Sequence, residues 1–181
     1  LIQQKVVYLA FVDLEKAFDS VSQSLVWESL GRRGINGQLL RGIKSVYTEN
    51  KNYVRISNMK SDKFEVREGL RQGGVLSPTL FIVVMDDIIK ATCDKTKKVH
   101  IGYNKLRPVQ IRECVFADDI TICAKSEKDL QLNLKTWNEE LKKRKMKINP
   151  QKTKVMVIGR TNITINITID EERIEQVDKY K

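Results

Sequence analysis

Residues 6–12 form an unbroken apolar run rich in β-branched and aromatic side chains, the pattern of a buried strand. The run ends at Asp13. Ser22 stands where a cap would open a helix carrying Leu25, Val26 and Leu30, with Gly31 and Gly34 to close it. Asn36 opens another, with Leu39, Leu40, Ile43, Val46 and Tyr47 on one face. Residues 53–56 and 64–66 read as a hairpin about a polar turn at 58–62. Ser77-Pro78 is a helix start, a capping hydroxyl followed by proline at the first helical position, and the apolar residues 80–89 continue it. Residues 114–116 and 120–122 flank Ala117-Asp118-Asp119 as a tight hairpin. Ser126 and Asp129 signal a further helix start, after which Leu130, Leu134, Trp137 and Leu141 recur at helical spacing. Residues 155–158 read as a strand, and Ile163, Ile165, Ile167 and Ile169 alternate with polar residues as a half-buried one. No repeat and no linker interrupts the pattern. It predicts one α+β domain over residues 1–181, an antiparallel sheet with helices on one face.

Length and composition leave that picture standing. A chain of 181 residues can bury about 70% of the surface it exposes unfolded. A hydrophobic fraction of 41% with nine Gly and three Pro excludes disorder and collagen-like repeats. The apolar run at 6–12 is far short of the ~20 residues a membrane helix needs. The first residue is Leu1 and no leader pattern follows, so the sequence reads as processed or as a piece of a longer protein. Three cysteines, Cys93, Cys114 and Cys123, form no C-x-x-C pair. They read as small apolar residues of a reduced compartment. His100 is the single histidine, which restricts imidazole chemistry. The Asn-x-Thr triplets at Asn162 and Asn166 read as accidental strand sequence.

The charge is +10 and uneven. Residues 142–160 hold eight Lys or Arg and no acid, before Asp170, Glu171, Glu172, Glu175 and Asp178 turn the tail acidic. A basic surface fits a polyanion such as nucleic acid, and equally a solvated helix face. Two features carry chemistry. Asp13 ends a buried strand, where an ionised carboxylate needs compensation. Asp118 and Asp119 are adjacent acids at a tight turn, and adjacent acids disturb each other's proton affinity. A hard divalent cation such as Mg²⁺ resolves both. Three carboxylates brought together could clamp two metals ~3.5–4 Å apart for phosphoryl transfer. Read singly, Asp-Asp in a loop is an ordinary turn. A receiver-type phosphoacceptor would need a parallel sheet and an early acid pair, whereas this pair comes late. Residues 69–78, Gly-Leu-Arg-Gln-Gly-Gly-Val-Leu-Ser-Pro, make a glycine-bearing loop before a helix. It is neither a Walker A loop nor a dinucleotide fingerprint.

Taken jointly, four blocks resemble those of reverse transcriptases. They are Phe11-Val12-Asp13-Leu14-Glu15-Lys16-Ala17-Phe18-Asp19, the loop from Gly69 to Pro78, Phe116-Ala117-Asp118-Asp119, and Asn149-Pro150-Gln151-Lys152-Thr153-Lys154. Their wording is similar to that of non-LTR, LINE-type retrotransposon enzymes, and the resemblance covers residues 6–158. It implies a polymerase palm, an antiparallel sheet backed by helices with metal carboxylates at one edge. Asp13, Asp118 and Asp119 would bind two Mg²⁺ ions, with Mn²⁺ as a substitute, and the Leu14 carbonyl would touch a metal. Phe18 would be the steric gate that favours deoxynucleotides. Gln72 and Gly73 would line the nucleotide pocket with Arg71 nearby, and Lys152 would protonate the leaving pyrophosphate. The implied partners are an RNA template, a DNA primer and a dNTP, without a membrane, and the implied setting is intracellular, in nucleus or cytoplasm.

Two departures are small. Phe116 stands where many relatives carry Tyr, and Gly74 where they often carry Asp or Ser. The fingers blocks expected before the first motif, and the primer grip, thumb and endonuclease, have no counterpart in the 181 residues. The chain therefore reads as a palm portion of a longer chain. Two rivals remain. One is a decayed element acting only as a nucleic-acid-binding or interaction module. The other is an RNA-dependent RNA polymerase, against which Phe18 speaks.

Overall fold

The computed structural model describes residues 6–48, 51–66, 68–101, 109–159 and 163–180, without the side chains of 100, 101 and 109. The basic stretch's last member, Arg160, and the first Asn-x-Thr triplet's Asn162 lie outside them. In chain order the elements are β1 (Val7–Val12), α1 (Ala17–Ser20), α2 (Gln23–Arg32), α3 (Gly37–Ser45), β2 (Lys51–Asn52), β3 (Arg55–Ile56), β4 (Met59–Lys60), β5 (Phe64–Glu65) and α4 (Ser77–Cys93). There follow β6 (Val99–Ile101), β7 (Val109–Ile111), β8 (Glu113–Phe116), β9 (Asp119–Ala124), α5 (Glu127–Lys143), β10 (Lys154–Ile158), β11 (Thr168–Ile169), β12 (Glu172–Arg173) and β13 (Glu175–Gln176). The chain divides into two compact units, Leu1–Glu15 with Ile88–Lys181, and Lys16–Asp87.

The first unit is built on a five-stranded sheet of order β13-β10-β1-β9-β8. β1 is antiparallel to both β10 and β9, β8 is antiparallel to β9, and only the β10–β13 edge is parallel. The register sets Ala10 opposite Ile122 and Val155, and Val12 opposite Ile120. These side chains are buried on one face, and the long helix α5 packs on β9 and β1. α5 starts as its sequence indicates, with Ser126 Oγ accepting from the Asp129 N–H at 3.1 Å. Its Leu130, Leu134, Trp137 and Leu141 are all fully buried. Each such side chain stabilises the core by about 1.5–3 kcal/mol. On the sheet's other face Phe11 stacks on Tyr180, ring centroids 4.0 Å apart.

The alternating isoleucines behave in an instructive way. Ile165, Ile167 and Ile169 are buried between exposed Thr164, Asn166 and Asp170, as a half-buried strand requires. Yet only Thr168–Ile169 pairs as a strand, with β12. The other backbone groups are met largely by side chains: Gln176 accepts from the Ile165 N–H, Glu127 from Asn166 and Gln131 from Thr168. Burial periodicity is satisfied without a ladder, because these side chains take the place of a neighbouring strand.

In the second unit Arg32 and Arg33, ending α2, reach Asp87 and Asp86 on α4 at 2.5–2.8 Å. Burial of Asp87 works to raise its pKa, but hydrogen bonds from Arg32, Ser29 and Arg33 prevail and hold it below the usual carboxylate value. The expected hairpin of 53–66 forms differently, as two short ladders: β2 pairs with β5, and β3 with β4. Tyr53, Val54, Ile56, Met59 and Phe64 are all exposed. Ser77 also departs from its expected role as a cap. It is buried, and its Oγ donates to the Arg71 carbonyl at 2.6 Å and lies 3.0 Å from the Tyr47 hydroxyl. The hydroxyl ties down the preceding loop.

Candidate active site

β1 and β9 pair through Val12 and Ile120, the last pair of their register. Asp13 follows Val12 and Asp119 precedes Ile120, so both acids stand next to that last pair, at the same end of the sheet. Asp119 closes a hairpin whose two-residue loop is Ala117-Asp118, with Phe116 paired to Asp119. Ala117 has φ +54°, as the first loop residue of a type II′ hairpin requires. Glycine usually fills that position, and an alanine there costs roughly 1–2 kcal/mol. The turn leaves Asp118, Asp119 and the Phe116 ring exposed, and Asp13 half-exposed. All three acids thus lie where β1 ends and the β8–β9 hairpin turns.

The fourth block holds this end of β1 in place. The Asp13 N–H donates to Thr153 Oγ1 at 3.2 Å, and the Asn149 N–H donates to the Asp13 carbonyl at 2.8 Å. Leu14 bridges to Ile148, and the Glu15 N–H donates to the Lys147 carbonyl at 2.9 Å. Asn149 also shapes its own turn: Oδ1 accepts from the Gln151 and Lys152 N–H groups at 3.1 and 3.3 Å. That turn brings Lys152 Nζ to 4.0 Å from Asp13 Oδ2. Thr153 is fully buried, and its hydroxyl was not singled out in the sequence. Its only sequence signal is its place between two lysines in the Asn-Pro-Gln-Lys-Thr-Lys block.

The donor set is of the chemical kind that a hard divalent cation takes. It consists of carboxylate oxygens, and among the described residues no hydrogen-bond donor satisfies those of Asp118 and Asp119. Mg²⁺ typically takes one or two protein carboxylates and completes its shell with water and substrate phosphates. Among the described residues, however, no three His, Cys, Asp or Glu side chains are grouped closely enough to hold a metal ion, so Asp13, Asp118 and Asp119 do not form a ready ligand set.

Phe18, Arg71, Gln72 and Gly73 lie in the second unit, where the ends of the first two blocks meet. The Leu70 N–H donates to the Phe18 carbonyl at 2.8 Å, the Gly69 N–H to the Val21 carbonyl at 3.0 Å, and Gln72 Nε2 to Asp19 Oδ1 at 3.0 Å. Gly69 has φ +83°, and a Cβ there would sit 2.8 Å from the Asp19 carbonyl oxygen, so only glycine fits. A Cβ at Gly74 would meet Ser77 Oγ at 2.7 Å. The half-buried Phe18 ring stacks on the buried Phe81 ring, centroids 4.7 Å apart. A cavity of about 840 Å³ opens beside the loop, lined by Asp19, Tyr47, Asn52, Glu68, Gln72 and Leu76 among others. Asp19, quoted in the first block without a role, proves to be the residue that orients Gln72.

The cysteines are all free. Burial, with Cys114 and Glu113 nearby, pushes the Cys123 thiol up to about 11, which leaves it protonated and inert at neutral pH. No helix among the described residues is long and apolar enough to cross a membrane.

The family profile described as "Reverse transcriptase (RNA-dependent DNA polymerase)" matches residues 2–179. The chain is 29% identical over 154 residues to the retrovirus-related Pol polyprotein of the type-1 retrotransposable element R2 from Nasonia vitripennis, covering 85% of this chain and 14% of that polyprotein. It is 25% identical over 180 residues to the RNA-directed DNA polymerase from the Drosophila melanogaster mobile element jockey, covering 95% of this chain and 18% of the relative. It thus spans less than a fifth of either relative. Among solved structures, apo telomerase from Candida tropicalis shares the fold at a TM-score of 0.65 and 16% identity, covering 90% of this chain and 32% of that one. Enzymes of the matched family generally use divalent metal ions. With its motifs, its antiparallel sheet and a profile match over nearly its whole length, the chain belongs to the reverse transcriptase family, and these relatives are non-LTR retrotransposon proteins.

Proposed function

We propose that the chain is the palm portion of a non-LTR retroelement's RNA-directed DNA polymerase, extending a DNA primer with dNTPs on an RNA template. The observation that carries this reading is the strand register that ends at Val12 and Ile120, the residues next in the chain to Asp13 and Asp119. In the reaction the primer 3′-hydroxyl attacks the α-phosphorus of a dNTP. A phosphodiester bond forms and pyrophosphate leaves. Asp13, Asp118 and Asp119 would hold two Mg²⁺ ions, or Mn²⁺, with the Leu14 carbonyl as a further oxygen donor. Such ions favour the ionised hydroxyl and stabilise the leaving phosphates. Lys152 Nζ would give its proton to the departing pyrophosphate, a general-acid role that its exposed ammonium beside Asp13 suits. Gln72, Gly73 and Arg71 would contact the nucleotide. Phe18, braced by Phe81, would fill the space of a 2′-hydroxyl and exclude ribonucleotides. Such an enzyme works inside the cell, in nucleus or cytoplasm.

The test is primer extension on poly(rA)/oligo(dT) by a longer enzyme carrying this palm. Asp118→Asn is expected to abolish extension, and unchanged activity would remove the metal assignment. Phe18→Val is expected to admit ribonucleotides. RNA binding by the unsubstituted enzyme with no extension at all would favour the binding-module reading.

A further inference from the structure

Residues 142–160 look like one uniform basic stretch, but their charges meet different fates. Lys142 pairs with Asp170, Lys143 and Arg144 with Glu140, and Lys154 with Glu175. Lys152 faces Asp13. Lys145 and Lys147 remain, exposed and without a carboxylate in ion-pair range among the described residues.

The backbone at Lys145 is the second observation. α5 ends in a Schellman motif: the Met146 N–H donates to the Leu141 carbonyl and the Lys145 N–H to the Lys142 carbonyl, both at 3.0 Å. Lys145 therefore occupies the left-handed position, φ +60°, where glycine or asparagine is the usual residue. A lysine there costs roughly 1–2 kcal/mol and gains no ion pair in exchange. Local rules are broken in this way chiefly where function requires it. From the cap onward exposed and buried residues alternate, with Lys145 and Lys147 exposed and Met146 and Ile148 buried. The same segment hydrogen-bonds to residues 13–15, the end of the catalytic strand.

We propose that Lys145 and Lys147 are a rail for the phosphodiester backbone of a nucleic-acid strand bound beside the carboxylate end of β1. The assignment rests on the polymerase reading and specifies which cations meet the strand. Lys145 closes the helix and Lys147 follows two residues on, in the stretch that bonds to the end of β1, so the two exposed ammonium groups are offset along the chain. Such an offset pair suits an extended polyanion better than a compact triphosphate, which needs convergent donors.

The experiment follows binding of a short fluorescein-labelled single-stranded RNA to the 181-residue chain, in EDTA, across a potassium chloride series. Lys145→Gly with Lys147→Gln is expected to flatten the slope of log K against log salt by about 1.4, ~0.7 per lost phosphate contact. Affinity at about 0.1 M salt then falls roughly 25-fold, if the curves converge near 1 M. Lys142→Gln with Lys143→Gln removes the same formal charge and should leave the slope nearly unchanged. Lys145→Gly alone should raise the melting temperature while weakening binding, which a purely structural lysine would not do. Equal loss in both double variants, no loss in the first, or no salt-dependent binding by the parent chain overturns the rail. So does loss of inorganic triphosphate competition without loss of RNA affinity, which would assign the lysines to a free polyphosphate. The assay needs no metal and no turnover, so its failure is distinct from failure of primer extension.

Discussion

Residues 7–12 and the apolar residues scattered among polar ones at 53–64 end in opposite situations. In β1, Val, Ala, Leu and Phe are flanked by two strands, and Ala10 and Val12 are buried. Between 53 and 64, Met59 is 74% exposed and Ile56 67%, in two-residue ladders. Apolar β-prone sequence becomes a firm strand only where neighbours supply both hydrogen bonds and a covering face. The two candidate site residues differ in the same way. Asp13 sits at the end of the central strand and is held through its own N–H and carbonyl. Gln72, by contrast, hangs on a loop, its side chain held by a hydrogen bond to Asp19 and the loop by Gly69 packed against the Asp19 backbone.

If that contrast is right, the loop should be easiest to break through its backbone. Gly69→Ala drives a Cβ into the Asp19 carbonyl at a positive φ. We expect a loss of about 2–4 kcal/mol, read by chemical denaturation, together with lower dNTP affinity in the longer enzyme. The α5 side of the sheet should instead break through charge. Hydrogen bonds from Lys143, Lys95 and Arg144 hold the Glu140 carboxyl down to about 2, from an ordinary 4.5. Its folded pKa is depressed, so its contribution is complete above about pH 4.5 and is lost as pH falls toward 2. Glu140→Gln should cost about 2–3 kcal/mol at neutral pH, and the gap between variant and parent should close by pH 2–3.

The smallest change in stability is expected at Thr153, where the contrast becomes sharpest. Thr153→Val keeps the shape and removes the acceptor for the Asp13 N–H. We expect about 1–2 kcal/mol in stability and a fall of roughly 10-fold in turnover with dNTP KM unchanged, since a fraction of an ångström matters at a reacting centre. Thr153→Ser should restore turnover. Equal activity in all three would show that the sheet holds Asp13 without this hydroxyl.

Much of this arrangement was legible in the sequence. The apolar run ending in Asp13, the hairpin at Ala117-Asp118 and the capped helix from Ser126 are local patterns, and the fold kept them. What was hidden depends on partners distant in sequence. Nothing local says that the Thr153 hydroxyl reaches an amide 140 residues earlier. Nor does it say that Gln131 and Gln176 replace a strand beside the isoleucines, or that Ser77 turns back to Arg71. The αL conformation of Lys145 was equally unreadable, because the residue that usually announces such a cap is glycine.

The central claim is that the ends of β1 and β9 share a divalent cation, and paramagnetic broadening by Mn²⁺ tests it on this chain directly. In amide spectra of the 181-residue chain, substoichiometric Mn²⁺ should selectively erase the signals of residues 12–14 and 117–120. Mg²⁺ should compete for the effect, and Asp119→Asn should remove it. Broadening spread over the acidic residues 170–178, or an unchanged pattern in Asp119→Asn, would contradict the account.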